Sequence, residues 1–280
     1  MDQTMMKGNA RIDAKTISDF GDQWTKHRDN SGFYGSTDLF VDAFGAFVSL
    51  DDIKGNRVGD IGSGTGRIVN MLLAAGAAEV VAVEPSDAIE VLKENTYESR
   101  DRVRYVHGTG ESIAEAASDL DLIVSYGVLH HITEPSPVVR AAHKALKPGG
   151  RFLAWVYGRE GNGAYLALTE PMRMLTTRLP PAALGVISHA MNRALDFYVP
   201  ACEKLPLPLA GYMNNVVSKL DREKRYLVIY DQLNPAYARY YRESEARELF
   251  ERAGFESVEL YHRHGYSWTI SGTKAQESRS

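Results

Sequence analysis

The sequence contains a single cysteine, Cys202, and this scarcity excludes a fold held together by intrachain disulfide bonds. A long uninterrupted apolar run is also missing. The longest apolar segment, 68–83, contains polar residues and breaks at Gly76, which indicates a helix followed by a strand rather than a membrane span. Residues 1–13 are polar and lack the apolar run of a signal peptide. We therefore expect a cytoplasmic protein without a membrane partner.

The chain also lacks an excess of positive charge. It has 32 Lys and Arg residues against 36 Asp and Glu residues, and its formal net charge is −4. This balance argues against a surface that holds a phosphate backbone, so we expect no nucleic-acid partner. With 280 residues, of which 44% are apolar, the chain has the composition of a soluble enzyme with one large domain or a domain with an insertion.

A glycine-rich turn stands between two apolar strand candidates. Residues 58–66 read V-G-D-I-G-S-G-T-G, a helical apolar run follows, and the next strand ends at Glu84. Because Gly62, Gly64 and Gly66 lack Cβ atoms, the backbone can turn tightly at a strand end and approach a ligand closely. A carboxylate at the end of the next strand can accept hydrogen bonds from ribose hydroxyls. This arrangement predicts a nucleotide-cofactor site.

The spacing of the glycines separates two classes of cofactor. A dinucleotide fold uses G-x-G-x-x-G, whose third glycine would fall at Arg67. This chain instead has G-x-G-x-G, with Asp60 two residues before the first glycine. That arrangement resembles motif I of the class I S-adenosylmethionine-dependent methyltransferases. An alternative for Asp60 is a purely structural role as N-cap of the following helix.

Three further segments are similar to this family in the same order along the chain. Residues 108–111 (G-T-G-E) follow the third strand, 122–132 (L-I-V-S-Y-G-V-L-H-H-I) end the fourth, and 146–151 (L-K-P-G-G-R) precede the fifth. The four segments span about a hundred residues. The resemblance implies an α/β, Rossmann-like fold with a seven-stranded sheet whose strand 7 is antiparallel, and S-adenosyl-L-methionine as cofactor.

The resemblance also implies a role for each matching residue. Asp60 would contact the amino group of the methionine part, in many relatives through water, while the glycine turn passes beneath it. Glu84 would bind the ribose and Pro85 would border the adenine. The family often has an acid near the adenine after the third strand; here Glu111 or backbone groups would replace it. The complete set of expected cofactor residues, with aromatic residues included, is Asp60, Gly62, Ser63, Gly64, Glu84, Pro85, Gly110, Glu111, Ser125, Tyr126, Trp24 and Tyr34.

The periodicity of apolar residues divides the chain into segments. Steps of three and four predict N-terminal helices within 1–55, and we expect them to lie over the cofactor pocket. Strands alternate with helices over 56–157, and 242–273 adds a helix and a strand pair, so these ranges form the core. The polar tail 274–280 is expected to fray. The predicted strands are 57–61, 79–83, 103–107, 120–125, 151–157, 255–261 and 266–272.

Residues 158–241 distinguish this chain from a minimal methyltransferase, because the segment is too long for a simple loop. Within it, 184–197 and 216–227 have the pattern of helices. The ligand crevice of an open α/β sheet lies at the carboxyl ends of its strands, and the segment leaves from one of these ends. We therefore predict a helical cap, inserted after strand 5, that closes over the substrate. Plain packing or a homodimer formed through the insertion is the alternative.

Methyl transfer requires two reactants to be positioned and water to be removed. A base is needed when the acceptor is a hydroxyl, whereas a neutral amine or a thiolate reacts unaided. His131 and His130 follow the fourth strand, where one of them could take a proton or orient the acceptor; structural packing is the alternative. A metal is not expected, because adjacent side chains diverge and no carboxylate and cysteine cluster surrounds the pair.

Aromatic residues form a second group that could contact the acceptor. Tyrosine rings hold a cationic sulfonium or stack on a flat or sugar-like molecule, although core packing explains many of them. The residues predicted to contact the acceptor are Tyr157, Arg159, Glu160 and Tyr230. We expect methyl transfer to oxygen or nitrogen of a small-molecule acceptor of natural-product or sugar-like type. The alternatives are a regulatory protein that binds S-adenosylmethionine without catalysis and an NAD-dependent oxidoreductase.

Overall fold

The computed structural model describes residues 3–176, 179–234 and 237–276. Its centre is a seven-stranded sheet with the strand order β3-β2-β1-β4-β5-β7-β6. Strands β1 to β5 pair in parallel, and β7 lies antiparallel between β5 and β6. The predicted α/β sheet with an antiparallel strand 7 is therefore confirmed. The strands are β1 (Arg57–Ile61), β2 (Glu79–Glu84), β3 (Val103–His107), β4 (Leu120–Tyr126), β5 (Leu146–Tyr157), β6 (Glu256–Arg263) and β7 (Ser267–Thr273).

Helices cover both faces of the sheet, which is why the central strands are apolar almost throughout. One face packs against Phe40 and Leu72, and the other against Val139 and Phe250. The described helices are α1 (Gln3–Lys26), α2 (Thr37–Phe44), α3 (Arg67–Ala74), α4 (Ala88–Asn95), α5 (Ile113–Ala116), α6 (Ser136–Ala145), α7 (Gly163–Thr176), α8 (Pro181–Lys204), α9 (Ala210–Asn215), α10 (Arg222–Leu233) and α11 (Glu243–Glu251). No described helix has the length and apolar character needed to cross a membrane.

Two predicted elements differ from the structure in their boundaries. Strand β5 begins at Leu146 rather than at 151, because Leu146 already pairs with Leu120 of β4. The helix predicted at 216–227 was wrong at both ends: α10 spans Arg222–Leu233, and it begins where the Asp221 side chain accepts a hydrogen bond of 2.8 Å from a first-turn backbone N–H. A capping carboxylate placed there stops the helix from extending toward its N-terminus.

The inserted segment leaves the core and returns to it at one point. Tyr241 donates its backbone N–H to the Tyr157 carbonyl oxygen at 2.9 Å, and Arg159 donates to the Tyr241 carbonyl oxygen at 2.8 Å. Helices α7 to α10 lie between these two anchor points in the sequence. This arrangement is consistent with the boundaries proposed for the insertion, whose role as a separate cap stays a prediction.

The start of the C-terminal tail is held by the core, contrary to the expectation that 274–280 frays. Lys274 donates its backbone N–H to the Gly150 carbonyl oxygen at 2.9 Å and its Nζ to the Leu146 carbonyl oxygen at 2.6 Å. Both acceptors belong to β5, so the tail begins as a continuation of β7 beside β5. Residues 277–280 lie outside the described part of the chain.

A buried ion pair fastens the N-terminal helices to the last strands. Arg263 of β6 is fully buried and donates from Nε to Oδ2 of Asp42 at 2.8 Å, while Nε2 of His264 lies 2.8 Å from Oδ1. Burial alone would raise the pKa of Asp42, but the His264 hydrogen bond and the charge of Arg263 outweigh it, so the pKa lies below its ordinary value. Both charges are therefore retained near neutral pH.

We predict that Asp42→Ala lowers the free energy of unfolding by about 3 kcal/mol, because it leaves the buried Arg263 cation without its partner. Urea unfolding at pH 7 measures this loss. The contribution of Asp42 should persist above about pH 4 and disappear as the pH falls through its lowered pKa. The control is Glu248→Ala, which removes an exposed ion pair with Arg252 and should change stability by at most about 0.5 kcal/mol. Equal losses in the two variants would contradict the role given to Asp42.

Candidate active site

A cavity of about 270 Å³ lies at the carboxyl ends of β1, β2 and β4. In an open α/β sheet, this edge is where ligands bind. The cavity is lined by α1, the glycine turn after β1, the loops after β2, β3 and β4, the end of β5 and the inserted helices, together with Tyr34, Leu39 and Tyr266. The N-terminal helix and the insertion thus cover the strand ends together, so a bound molecule would be partly shielded from water.

Glycine at position 62 is required by a close approach of two loops. Gly62 has a φ of 79°, and a Cβ atom there would lie 2.3 Å from Cγ2 of Val128. The backbone N–H groups of Gly62 and Ser63 donate to the Val83 carbonyl oxygen at 2.9 and 3.0 Å, which ties the turn to β2. At Gly64 a Cβ atom would stand 3.7 Å from the Trp24 ring, so its absence widens the space between the turn and α1.

Glu84 connects the end of β2 to the glycine turn. Its Oε2 accepts the backbone N–H of Gly64 at 2.8 Å, and its Oε1 accepts the backbone N–H of Ser86 at 3.0 Å as well as the Ser86 hydroxyl. Burial raises the pKa of Glu84, although these hydrogen bonds oppose the shift. Each carboxylate oxygen has more than one lone pair, so Glu84, which lines the cavity, can also accept hydroxyl groups of a ligand.

Asp60 is a buried carboxylate whose hydrogen-bonding capacity is unused. It is 1% exposed, and neither side-chain oxygen has a hydrogen-bond partner among the described residues. Burial raises its pKa to about 7. The structural alternative is wrong, because Gly66 rather than Asp60 occupies the N-cap position of α3. An unsatisfied buried carboxylate is costly, so the site fits a cationic ligand group that compensates for it.

Arg67 forms part of the cavity wall and was not predicted as a site residue. Its guanidinium carbon lies 4.1 Å from the Tyr34 ring centre and 4.7 Å from the Tyr126 ring centre. Tyr126 in turn stacks on Trp155 at 4.6 Å. Within the described ranges Arg67 donates from Nη1 to the Tyr34 carbonyl oxygen at 3.5 Å and is not held in an ion pair, so its charge is available to a ligand. Its position directly after the last glycine of the turn was the signal that could have identified it.

The two adjacent histidines occupy different environments. His131 lines the cavity, and its Nδ1 lies 2.8 Å from the Tyr237 carbonyl oxygen. A carbonyl oxygen only accepts, so Nδ1 carries a proton, and in the neutral ring Nε2 then carries the lone pair. His130 is fully buried behind the wall, with its ring centre 3.7 Å from that of Tyr157. Of the pair, only His131 is placed to contact a bound molecule.

Most of the predicted site residues lie together on the cavity wall. Which group of a ligand each residue contacts stays a prediction, but the fold brings these residues together around one cavity. The predicted residues that line the cavity are Trp24, Tyr34, Gly62, Ser63, Gly64, Glu84, Pro85, Gly110, Glu111, Tyr126, His131 and Tyr157.

Other predicted residues do not line this cavity. Asp60 and His130 lie behind its wall, and the Ser125 hydroxyl is directed into the sheet, where it donates to the Ile61 carbonyl oxygen at 3.2 Å. The side chain of Ser125 faces away because residues alternate between the faces of a strand.

The predicted acceptor contacts at Arg159, Glu160 and Tyr230 are also outside the cavity. After β5 the chain turns toward β7, where Glu160 accepts hydrogen bonds from Trp268 Nε1 at 3.1 Å and from the Glu243 backbone N–H at 3.2 Å. Tyr230 packs among the inserted helices instead. Proximity to a strand end in the sequence did not suffice to predict an acceptor contact. The direction of the chain after the strand end decides which side a residue faces.

Several wall residues were missed, including Trp155, Tyr212, Gln232 and Tyr266. Trp155 precedes Tyr157 by two positions in β5, and the period of two places both on the same face, so the sequence contained a signal for it. Tyr212 and Gln232 belong to inserted helices, for which the sequence contains no comparable signal. The described residues contain no group of three or more histidine, cysteine, aspartate or glutamate side chains arranged to hold a metal ion.

Comparison with known proteins places this geometry in a family. Residues 59–154 match the family model described as a methyltransferase domain. A ubiquinone biosynthesis O-methyltransferase from Azorhizobium caulinodans is 30% identical over 177 residues, which cover 58% of this chain and 70% of that protein. Protein arginine N-methyltransferase 6 from Danio rerio is 39% identical over 117 residues, covering 39% of this chain and 32% of that protein.

The chain is also similar to a solved structure. At this low sequence identity, the similarity supports the fold and not the function. A SAM-dependent methyltransferase from Aquifex aeolicus superposes with a TM-score of 0.52 at 14% identity, covering 91% of this chain and 98% of that one. The chain spans between 39% and 70% of the lengths of the first curated relatives it matches. The ordered motifs, the glycine turn with Glu84, and these similarities agree: the chain belongs to the class I S-adenosylmethionine-dependent methyltransferases.

Proposed function

We propose that this protein transfers a methyl group from S-adenosylmethionine to oxygen or nitrogen of a small-molecule acceptor. When bound, the cofactor supplies an electrophilic methyl group on a sulfonium centre. One observation carries the proposal: one partly enclosed cavity joins the glycine turn and Glu84 to a wall of aromatic rings that includes His131. Such a space holds two reactants in contact and excludes water, which are the main contributions a protein makes to this reaction.

Different residues around the glycine turn are assigned to different groups of the cofactor. We assign Glu84 to the ribose hydroxyls and Pro85 with Glu111 to the border of the adenine. The carboxylate of Asp60, which has no hydrogen-bond partner among the described residues, does not line the cavity, so it would act on the ammonium group through water or the turn itself. Arg67, held between two aromatic rings, supplies the cation for the methionine carboxylate.

A proton acceptor for a hydroxyl substrate is present in the same wall. The Tyr237 carbonyl fixes the tautomer of His131 so that Nε2 bears the lone pair. We assign His131 as the base that removes the proton of a hydroxyl acceptor during attack. A neutral amine acceptor would depend less on this residue, since its nitrogen already carries a lone pair.

A contact between the insertion and the N-terminal region supports the proposal that the inserted helices close over the acceptor. The Lys224 side chain of α10, which is 3% exposed, donates to the carbonyl oxygen and to Oδ2 of Asp29 at 2.6 and 2.7 Å. This contact ties the insertion to the loop between α1 and α2. A homodimer formed through the insertion remains a prediction; Val186 and Phe197 of α8 are 70% and 82% exposed.

A regulatory protein that binds the cofactor without chemistry is the competing function. It would release no S-adenosylhomocysteine in the presence of any acceptor. Incubation with matched phenol and aniline acceptors, followed by quantification of S-adenosylhomocysteine, separates the two functions. Release that depends on both acceptor and protein supports methyl transfer.

We predict that Arg67→Ala and Glu84→Gln separate the two ends of the cofactor. Arg67→Ala should weaken S-adenosylhomocysteine binding by about 10- to 100-fold, the range for a lost charged hydrogen bond, and leave 5′-methylthioadenosine binding unchanged, because that nucleoside lacks the amino-acid part. Glu84→Gln should weaken both ligands, because both contain the ribose. Calorimetric titration measures these affinities.

The control for Arg67 is Arg100→Ala, which removes another arginine stacked on a tyrosine, at 4.4 Å from the Tyr97 ring centre and outside the cavity. It should change neither affinity. If Arg67→Ala weakened both ligands equally, Arg67 would have a structural role rather than the one assigned here.

We predict that Asp60→Asn stabilises the cofactor-free protein at pH 8 and weakens S-adenosylmethionine binding about tenfold or more. The folded-state pKa of about 7 exceeds the ordinary value of 3.8, so this group lowers stability as the pH rises from about 4 to about 7. Asparagine removes that penalty together with the charge. Urea unfolding at pH 5 and pH 8 with calorimetric titration tests both effects; a variant less stable than the wild type at pH 8 would refute the assignment.

We predict that His131→Gln lowers kcat about 10²- to 10⁴-fold with a phenol acceptor, the range for a lost general base, and considerably less with the matched aniline. S-adenosylhomocysteine affinity and the melting temperature should remain close to wild type. His189→Gln, on the exposed side of α8, is the control and should leave both rates unchanged. Equal losses for phenol and aniline would show that His131 positions the acceptor instead of removing a proton.

A further inference from the structure

A second cavity of about 150 Å³ adjoins the first and extends into the insertion. The two cavities share wall residues from the sheet and from the inserted helices, among them Trp155, Tyr157, Tyr212, Gln232 and Tyr266. A molecule whose reacting atom lies in the first cavity can therefore extend into the second one. The glycine turn and Glu84 belong to the first cavity alone, so the second is not occupied by the cofactor assigned above.

The second cavity has an apolar wall. The side chains that belong to it alone are mostly aliphatic or thioether groups from α8, α9 and α10 and from the turn before α10. They include Met191, Leu195, Met213, Val217, Ile229 and Leu233. Burial of an apolar group against such a wall is favourable, whereas a charged group would lose its hydration without replacement.

The polar groups in this wall are largely engaged by the protein itself. Nδ2 of Asn162 donates to the carbonyl oxygens of Gly158 and Tyr266 at 2.7 and 2.6 Å. Arg225, the charged side chain among the described wall residues, pairs with Asp196 at 2.8 Å. Its Nε–H has no partner in the described ranges, so one neutral oxygen on a ligand could meet it. The cavity thus contains no unpaired carboxylate or cation on its described wall.

Gln232 stands where the two cavities meet, and several tyrosines fix its orientation. Its Nε2 donates to the Tyr157 hydroxyl at 2.7 Å, and its Oε1 accepts the hydroxyl hydrogens of Tyr165 and Tyr240 at 3.0 and 3.3 Å. The amide and the hydroxyl of Tyr157 form a polar boundary between the reaction space and the apolar cavity. This boundary favours an acceptor with a polar reacting end and an apolar far end.

We propose that the second cavity binds an uncharged, apolar substituent of the acceptor, about the size of a benzene ring or an alkyl chain of similar volume. A mainly apolar cavity of about 150 Å³ is large enough to bind benzene. The inference rests on the proposed function, since it names the class of acceptor for the same site. It replaces the sugar-like acceptor expected from the sequence with an aromatic or alkyl-substituted one, because sugar hydroxyls would lose hydrogen bonds in this wall.

The first test measures binding without chemistry. Butylbenzene, which has no nucleophile, should bind saturably to the protein saturated with S-adenosylhomocysteine and displace 4-butylphenol. Val217→Phe and, independently, Ile229→Trp fill the second cavity and should abolish this binding while leaving S-adenosylhomocysteine affinity unchanged. Val186→Phe, at the exposed surface of α8, is the matched control and should bind butylbenzene normally. The absence of saturable binding to the wild type would overturn the proposal.

The second test measures selectivity. Because each buried methylene group contributes about a fourfold gain in affinity, 4-butylphenol and 4-butylaniline should bind at least about tenfold more tightly than phenol and aniline. The cationic 4-(3-aminopropyl)phenol should show no gain. Met213→Ala, which enlarges the cavity, should shift the preference to longer chains, and melting temperatures identify variants that fail to fold.

The outcomes separate this inference from the proposed function. Butylbenzene binding without S-adenosylhomocysteine release from any acceptor would support the apolar cavity and contradict methyl transfer. Release that is independent of the substituent and unaffected by Val217→Phe or Ile229→Trp would support methyl transfer and overturn the inference.

Discussion

The close contact between the glycine turn and the ends of β2 and β4 determines the shape of the site. Gly62 approaches Val128 so closely that no side chain fits between them, and Glu84 holds the Gly64 amide. These two contacts bring the ends of three parallel strands to one edge of a single cavity. Without the positive φ at Gly62, the turn would move away from β2, and Glu84 would lose its place beside the turn.

This arrangement places two carboxyl groups in a buried region, where they cost stability. Glu84 is compensated by hydrogen bonds from Gly64 and Ser86, whereas Asp60 has no hydrogen-bond partner among the described residues. This difference in hydrogen bonding is consistent with their proposed roles. Glu84 also organises the turn, and Asp60 is proposed to interact with the ammonium group of the bound cofactor. When the ligand supplies the missing partner of a buried carboxyl group, the free protein is less stable by the free energy of leaving that group unsatisfied.

The inserted helices convert an open strand edge into two connected chambers. The chamber at the strand ends contains the carboxylate of Glu84 and the cation of Arg67, and the chamber within the insertion is lined mainly by apolar side chains. Gln232 and Tyr157 mark the transition between them. The polarity of the space therefore changes along one direction, from the cofactor end to the far end of the acceptor, and this gradient is the basis for the substrate class inferred above.

The sequence by itself determined the sheet and the glycine-turn side of the cavity, because both depend on local rules. Strand periodicity, positive-φ glycines and an acid at a strand end act within a few residues, so the sequence predicted that Gly62, Gly64 and Glu84 lie together at one strand edge, as they do on the cavity wall. Only the tertiary structure decided that His131 faces the cavity while His130 is buried, that Glu160 faces β7, and that Gln232 meets Tyr157. These outcomes depend on how helices from distant parts of the chain pack over the strand ends, and no local pattern encodes the direction in which a loop leaves a strand.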